Sequence, residues 1–189
     1  GIQDVIIQPT HILDGIENNI MKEEALAFRD SFHSITFGTP LISSREDAHA
    51  VIGAVAEEFS EHLEDTALVL MGHGTSHRVN SVYAEIDSMF KEQGHSNFSL
   101  GTVEAEPTIQ DLVREVCSYD PKKVVLAPFM IVAGDHAHND MAGDEPDSWA
   151  YQFRQHNYEV QPVLKGLGEY PGIRSLFIDH VKQAITGQA

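Results

Sequence analysis

Val124-Val125-Leu126-Ala127-Pro128-Phe129-Met130-Ile131-Val132-Ala133-Gly134 repeats, 119 positions downstream, the pattern of Val5-Ile6-Ile7-Gln8-Pro9-Thr10-His11-Ile12-Leu13-Asp14-Gly15. Each stretch is a β-branched apolar run that meets proline, crosses a short loop and stops at glycine. A run that is apolar on both faces suits a strand buried in a parallel sheet. Any parallel strand can end in such a loop, but two copies at a fixed offset point to a duplicated lobe.

Outward from these stretches the chain alternates between strand and helix patterns. Val5–Ile7, Ala67–Met71, Phe98–Val103, Lys123–Leu126 and Glu159–Leu164 read as strands. Ala48, Val51, Ile52, Val55 and Phe59 recur at helical spacing, as do Val82, Ile86, Met89 and Phe90, with Asn80 or Ser81 available as N-cap. Ile109, Leu112, Val113 and Val116 form a further stripe behind Pro107, and Ile173, Leu176, Phe177 and Val181 form the last. This alternation predicts an α/β fold of two similar lobes, each a parallel sheet flanked by helices.

Duplication has an arithmetic consequence. In the second copy 57 residues separate Ala67 from Val124, whereas only four precede Val5 in the first. The expectation is that the first lobe lacks its N-terminal half, about 50 to 60 residues, enough for two strands and two helices. Residues 1–65 would then be a partial first lobe and 66–189 the second, with Glu57–Asp65 as boundary helix and the final helix packing back on the first lobe. A half-lobe exposes a sheet edge, so a missing N-terminal segment or a partner chain is expected to cover it, and a homo-oligomer is one form this could take.

Twelve Lys plus Arg against 29 Asp plus Glu give a net charge of −17. That excess of acid argues against nucleic acid and against an anionic membrane surface as partners. No apolar run approaches the ~18 residues that span a bilayer. The single cysteine, Cys117, excludes an intramolecular disulfide framework and a cysteine-rich zinc module; it falls on an apolar helical face and is expected in the core. A cytoplasmic location is the default reading, with the periplasm as alternative.

In open parallel sheets ligands bind beyond the carboxyl ends of the strands. Three polar groups fall there: Gly72-His73-Gly74-Thr75, Gly101-Thr102-Val103-Glu104-Ala105-Glu106, and Gly134-Asp135-His136-Ala137-His138-Asn139-Asp140. A histidine after a strand is commonly an ordinary loop residue, and the third group reads equally as a solvated connection. Convergence of imidazoles and a carboxylate at adjacent strand ends favours a divalent ion, and such nitrogen and oxygen donors suit Co, Ni, Zn or Fe(II). Gly166-Leu167-Gly168 lacks the third glycine of a dinucleotide fingerprint, and Ser76 beside His77 lacks the frame of a nucleophile elbow.

Met71-Gly72-His73-Gly74-Thr75, Gly101-Thr102-Val103-Glu104 and the run from Ala133 through Glu145 to Ser148-Trp149 together resemble the anaerobic cobalt chelatases, the sirohydrochlorin cobaltochelatases of the class II chelatase superfamily. Gln8-Pro9 to Ile12 and Phe37-Gly38-Thr39-Pro40 resemble that family's first lobe. The resemblance implies two α/β lobes around a cleft and insertion of cobalt(II) into sirohydrochlorin during anaerobic cobalamin biosynthesis. By motif it carries the metal and catalytic roles onto His73, Glu104 and His136, with Glu106 the competing carboxylate. The chain departs from the family at its start, where members carry a further strand and a glycine–threonine loop.

Further expectations follow from that resemblance. Cobalt(II) would be the substrate metal, with iron(II), nickel(II) or zinc(II) as alternatives, and no organic cofactor is expected. Arg78 and Lys165 would either meet carboxylates of the macrocycle or be ordinary surface charges, while Phe129, Met130 and Ile131 would flank the macrocycle. Competing readings are an iron or nickel chelatase of the same superfamily and a non-catalytic metal-binding or delivery protein. A phosphoryl-transfer enzyme is weaker, because no arginine cluster stands ready for phosphate.

Overall fold

The computed structural model describes residues 1–60 and 65–187. Among these described residues six strands alternate with six principal helices: β1 (Asp4–Ile7), α1 (Ile16–Leu26), β2 (Ser34–Phe37), α2 (Arg45–Glu58), β3 (Thr66–Gly72), α3 (Ser81–Glu92), β4 (Phe98–Thr102), α4 (Ile109–Tyr119), β5 (Lys123–Pro128), α5 (Trp149–Gln155), β6 (Glu159–Pro162) and α6 (Pro171–Thr186). All strand pairings are parallel, which makes the fold α/β as expected. Two compact units are present, Gly1–Val51 with Pro171–Ala189, and Ile52–Tyr170. The expected division after residue 65 differs from this, since the change of unit falls within α2 and again before α6. Of the boundary helix expected over Glu57–Asp65, α2 ends at Glu58, and residues 61–64 lie outside the described residues.

The larger unit is a four-stranded sheet in the order β4-β3-β5-β6. Every residue of β3 is buried, the signature of a strand covered on both faces. Its side chains alternate, so Ala67, Val69 and Met71 join Val124 and Leu126 of β5 on one face. There they pack against Leu112, Val113 and Val116 of α4 and Trp149, Ala150 and Phe153 of α5. On the opposite face Gly72 lies so close to Tyr83 of α3 that a Cβ would meet its ring at 2.3 Å. Burial of each large side chain in this core contributes roughly 1.5–3 kcal/mol. α4 begins where Thr108 and Asp111 form a reciprocal capping box.

The smaller unit pairs β1 with β2, and α6 packs on both. Here the repeat noted in the sequence has a backbone counterpart. Ile7 O accepts from Gly38, His11 O from Leu41 and Ile12 O from Ile42. With acceptors at the same 119-residue offset, and donors 125 or 126 residues on, Leu126 O accepts from Val163, Met130 O from Leu167 and Ile131 O from Gly168. Ile2, Ile6, Ile16, Ile20, Leu26 and Phe28 are exposed in this unit. His180 of α6 is buried between the Thr39 carbonyl and the Asp47 carboxylate, at 3.2 and 3.3 Å.

Three elements lay outside the expectation: β2, α1 and the seven-residue α5. β2 is only Ser-Ile-Thr-Phe, too short and too hydroxylated to stand out. α1 buries Asn18 alone, so it has no apolar stripe to reveal it. Cys117 is exposed rather than buried, because it falls beside the Leu112–Val113–Val116 stripe and not on it. No helix among the described residues is long and apolar enough to cross a membrane.

Candidate metal centre

Adjacent strands β4, β3 and β5 bring their carboxyl ends to one edge of the sheet, and each delivers one residue there. β3 pairs with β4 through Gly72↔Thr102. The parallel ladder runs past both strands, with Val103 N–H donating to Gly72 O and Glu104 N–H to His73 O, each at 3.0 Å. That continuation sets Glu104 beside His73. On the other side Phe129 N–H donates to Met71 O at 2.7 Å, and the chain beyond β5 is held by Leu167 and Gly168 before it reaches His136.

His73, Glu104 and His136 each offer one ligand atom, and these atoms lie within 4.8 Å of one another. The two imidazoles meet edge to face, with ring centres 4.8 Å apart and planes at 89°. The His73 side chain is 50% exposed, Glu104 53% and His136 35%, so an ion held here would be reachable from solvent. Nδ1 of His73 faces the Gly74 carbonyl at 3.0 Å and Glu104 Oε2 at 3.5 Å. Both are acceptors, so Nδ1 donates and Nε2 keeps its lone pair for an ion. His136 Nδ1 is 2.6 Å from Asp140 Oδ2.

The loops are built to hold this arrangement. Gly74 has φ +85° and its Cβ position is 2.9 Å from Ala105 N and from Thr102 Cβ, so only glycine fits. Thr102 Oγ1 accepts from Ala105 N–H at 3.2 Å. Asn80, which with Ser81 was a candidate N-cap of α3, stands at the N-cap position but makes no side-chain cap hydrogen bond. Its side chain instead accepts from Thr75 N–H at 3.0 Å and donates to Glu106 O at 2.7 Å, tying the His73 loop to the Glu104 loop. The polar connection after Gly134 forms a π-helical turn over Ala137–Met141, with Ala142 N–H donating to Ala137 O. Such turns recur at functional sites. Ser148 ends the connection by capping α5 and donating to Gly143 O at 2.6 Å.

The other sequence candidates fall around this centre. An open cleft of about 500 Å³ adjoins it, lined by Thr102, Glu104, Glu106, Asp140, Asp147 and Trp149 among others. Glu106 thus shares the cleft without joining the three donors. Phe129 has no exposed surface, so any influence on a ligand passes through the loop it anchors; Met130 and Ile131 are half-buried. Arg78 is exposed on the short turn after the His73 loop, whereas Lys165 is engaged by Glu58 and lies over the Tyr170 ring. His138 is exposed and outside the donor set. The sequence marked Asn80 only as a candidate cap and Asp140 only as part of a polar run, although Asp140 stands four residues after His136, the interval at which neighbours on a helical turn meet.

Comparison with solved structures finds the same fold in the sirohydrochlorin chelatase SirB from Bacillus subtilis subspecies spizizenii in complex with cobalt, with a TM-score of 0.65 and 16% identity over 99% of this chain and 71% of that one. The architecture is therefore that of the chelatases. Residues 1–186 match the family described as Cobalt chelatase (CbiK), and the chain belongs to that family. It is 38% identical over 186 residues to the sirohydrochlorin cobaltochelatase of Salmonella typhimurium, covering 98% of this chain and 70% of that protein. It is 30% identical over 185 residues to the sirohydrochlorin cobaltochelatase CbiKC of Nitratidesulfovibrio vulgaris, covering 96% of this chain and 65% of that protein.

Proposed function

We propose that this chain acts as a sirohydrochlorin cobaltochelatase, with His73, Glu104 and His136 taking up cobalt(II) as substrate and passing it to the macrocycle. The observation that carries this reading is the convergence of three solvent-accessible donors within 4.8 Å at the carboxyl edge of a parallel sheet. Membership of the cobalt chelatase family and the named activities of two relatives support it. The two units are read as copies of one lobe, supported by the 119-residue offset shared by the sequence repeat and its hydrogen-bond acceptors, with the metal donors carried by the second copy.

The chemistry asks for two things. Two pyrrole protons must leave the macrocycle, and the ion must exchange its ligands for four ring nitrogens. Three donors leave coordination positions open, unlike a closed structural site, so the ion can be shared with the incoming macrocycle. Imidazole holds a metal when neutral and accepts a proton near neutrality, which suits both tasks. Glu104 supplies negative charge beside the ion and a second place for a departing proton. Arg78, exposed just after the His73 loop, meets a carboxylate of the macrocycle. At physiological salt the −17 charge is screened beyond ~8 Å, so such a local cation outweighs the distant field.

The test is visible absorption of sirohydrochlorin with cobalt(II), iron(II) or nickel(II), comparing the chain with His73→Ala and His136→Ala. Insertion of cobalt by the parent and a loss of at least ~10²-fold in each variant is expected. Metal binding with no change in the macrocycle spectrum would make the chain a delivery protein.

A further inference from the structure

We infer that Asp140 is a positioning residue that locks the ring of His136 into the tautomer and orientation able to receive the metal; this rests on the metal-site reading above. Asp140 Oδ2 lies 2.6 Å from Nδ1 of His136. An ionised carboxylate can only accept, so Nδ1 must carry the hydrogen and Nε2 must keep its lone pair. Without that partner a neutral imidazole is free to place its hydrogen on Nε2, where it blocks the ligating atom.

The two histidines reach the same result by different means. His73 is set by the main-chain carbonyl of Gly74 and by Glu104. For His136 the acceptor is a side chain, and the fold fixes where that side chain stands. Ala137 and Met141, four residues apart, are fully buried in the core and anchor the turn. His136 and Asp140, each one position earlier and also four apart, are thereby held half-exposed on the side that bears the donors. The π-helical bond from Ala142 N–H to Ala137 O and the bond from Gly143 N–H to Asn139 O close the turn behind them. Gly143 admits no side chain, since a Cβ would sit 2.2 Å from Asn139 O. Asp140 is outside the three-donor set but lines the cleft beside Glu104. Carboxylates placed behind a metal-binding histidine in this way typically change affinity or activity 10- to 100-fold.

The decisive variant is Asp140→Asn, because an amide can either accept from Nδ1–H or donate to Nδ1 and reverse the tautomer. Long-range proton–nitrogen correlation spectra of the metal-free chain, labelled with ¹⁵N at histidine and recorded at about pH 8, report the tautomer directly. The parent is expected to show His136 with its hydrogen on Nδ1. Asp140→Asn and Asp140→Ala should show it wholly or partly on Nε2, with cobalt(II) binding about 10- to 100-fold weaker and His73 signals unchanged. Asp140→Glu should recover part of both readouts. A His136 that stays Nδ1–H in both variants with parental cobalt(II) affinity would overturn the assignment. The tautomer is read without the macrocycle, so its failure is separable from a failure of the chelatase reading, which shows as absent insertion with the His136 signal as expected.

Discussion

Replacing Gly74 with alanine should damage fold and site together, and the size of both effects can be worked out. At φ +85° an L-residue bears the strain of the left-handed region, roughly 1–2 kcal/mol. The new methyl would also stand 2.9 Å from Ala105 N and Thr102 Cβ, where ordinary contact begins at 3.4 Å. Neither neighbour is a flexible side-chain end, so the loops must part by about 0.5 Å, the difference between those two distances. Overpacking of this kind costs about 1–3 kcal/mol, giving ~2–5 kcal/mol in all. That corresponds to a fall in Tm of roughly 5–15 °C for a chain of this size. The displaced segments carry His73 and Glu104, and misplacement of about 1 Å costs ~10²-fold in rate, so cobalt insertion should drop ~10-fold or more. Circular-dichroism melting and the sirohydrochlorin absorbance assay read the two effects. A Gly74→Ala chain with parental Tm and parental insertion rate would refute the claim that this glycine is required by the close approach of the two loops.

Asn80→Ala removes the hydrogen bonds that join the His73 and Glu104 loops, and should cost about 1–2 kcal/mol in urea unfolding while weakening cobalt(II) binding, measured by titration calorimetry. Burial is the main cause that raises the Asp87 carboxyl above 3.8, with Lys91 and the Leu100 N–H opposing it. The folded state therefore holds the proton more tightly than the unfolded chain, so this group's contribution falls as pH rises from 3.8 through its raised value. Asp87→Asn should remove that component from stability measured as pH rises from 3.8, and an unchanged slope would contradict it. Cys117, being exposed, should react as one thiol per folded chain with a disulfide reagent, without denaturant.

Strand positions and the three polar groups were legible in the sequence because both rest on local pattern. β3 and β5 must be apolar on both faces, and a ligand edge must follow each strand at once with residues such as Gly72-His73-Gly74. The repeat was legible for the same reason, since equal loops demand equal strings of proline, apolar residues and glycine. Family motifs then directed attention to His73, Glu104 and His136. The short strand β2 and the helices α1 and α5 escaped: β2 and α1 show little apolar periodicity, and α5 is only seven residues long.

Distances, partners and exposure belonged to the folded chain alone. That Glu104 stands next to His73 follows from a ladder register between residues about thirty apart, which no local pattern encodes. Asn80 looked like a cap and became a brace between loops, because the packing of α3 against β3 and β4 decides which way an amide near its start can reach. Asp140 became significant only when the buried anchors Ala137 and Met141 fixed the turn that aims it at His136. Composition and periodicity constrain which residues go inside; the partner of each polar group is settled by three-dimensional proximity, which is what gathers His73, Glu104 and His136 at one sheet edge.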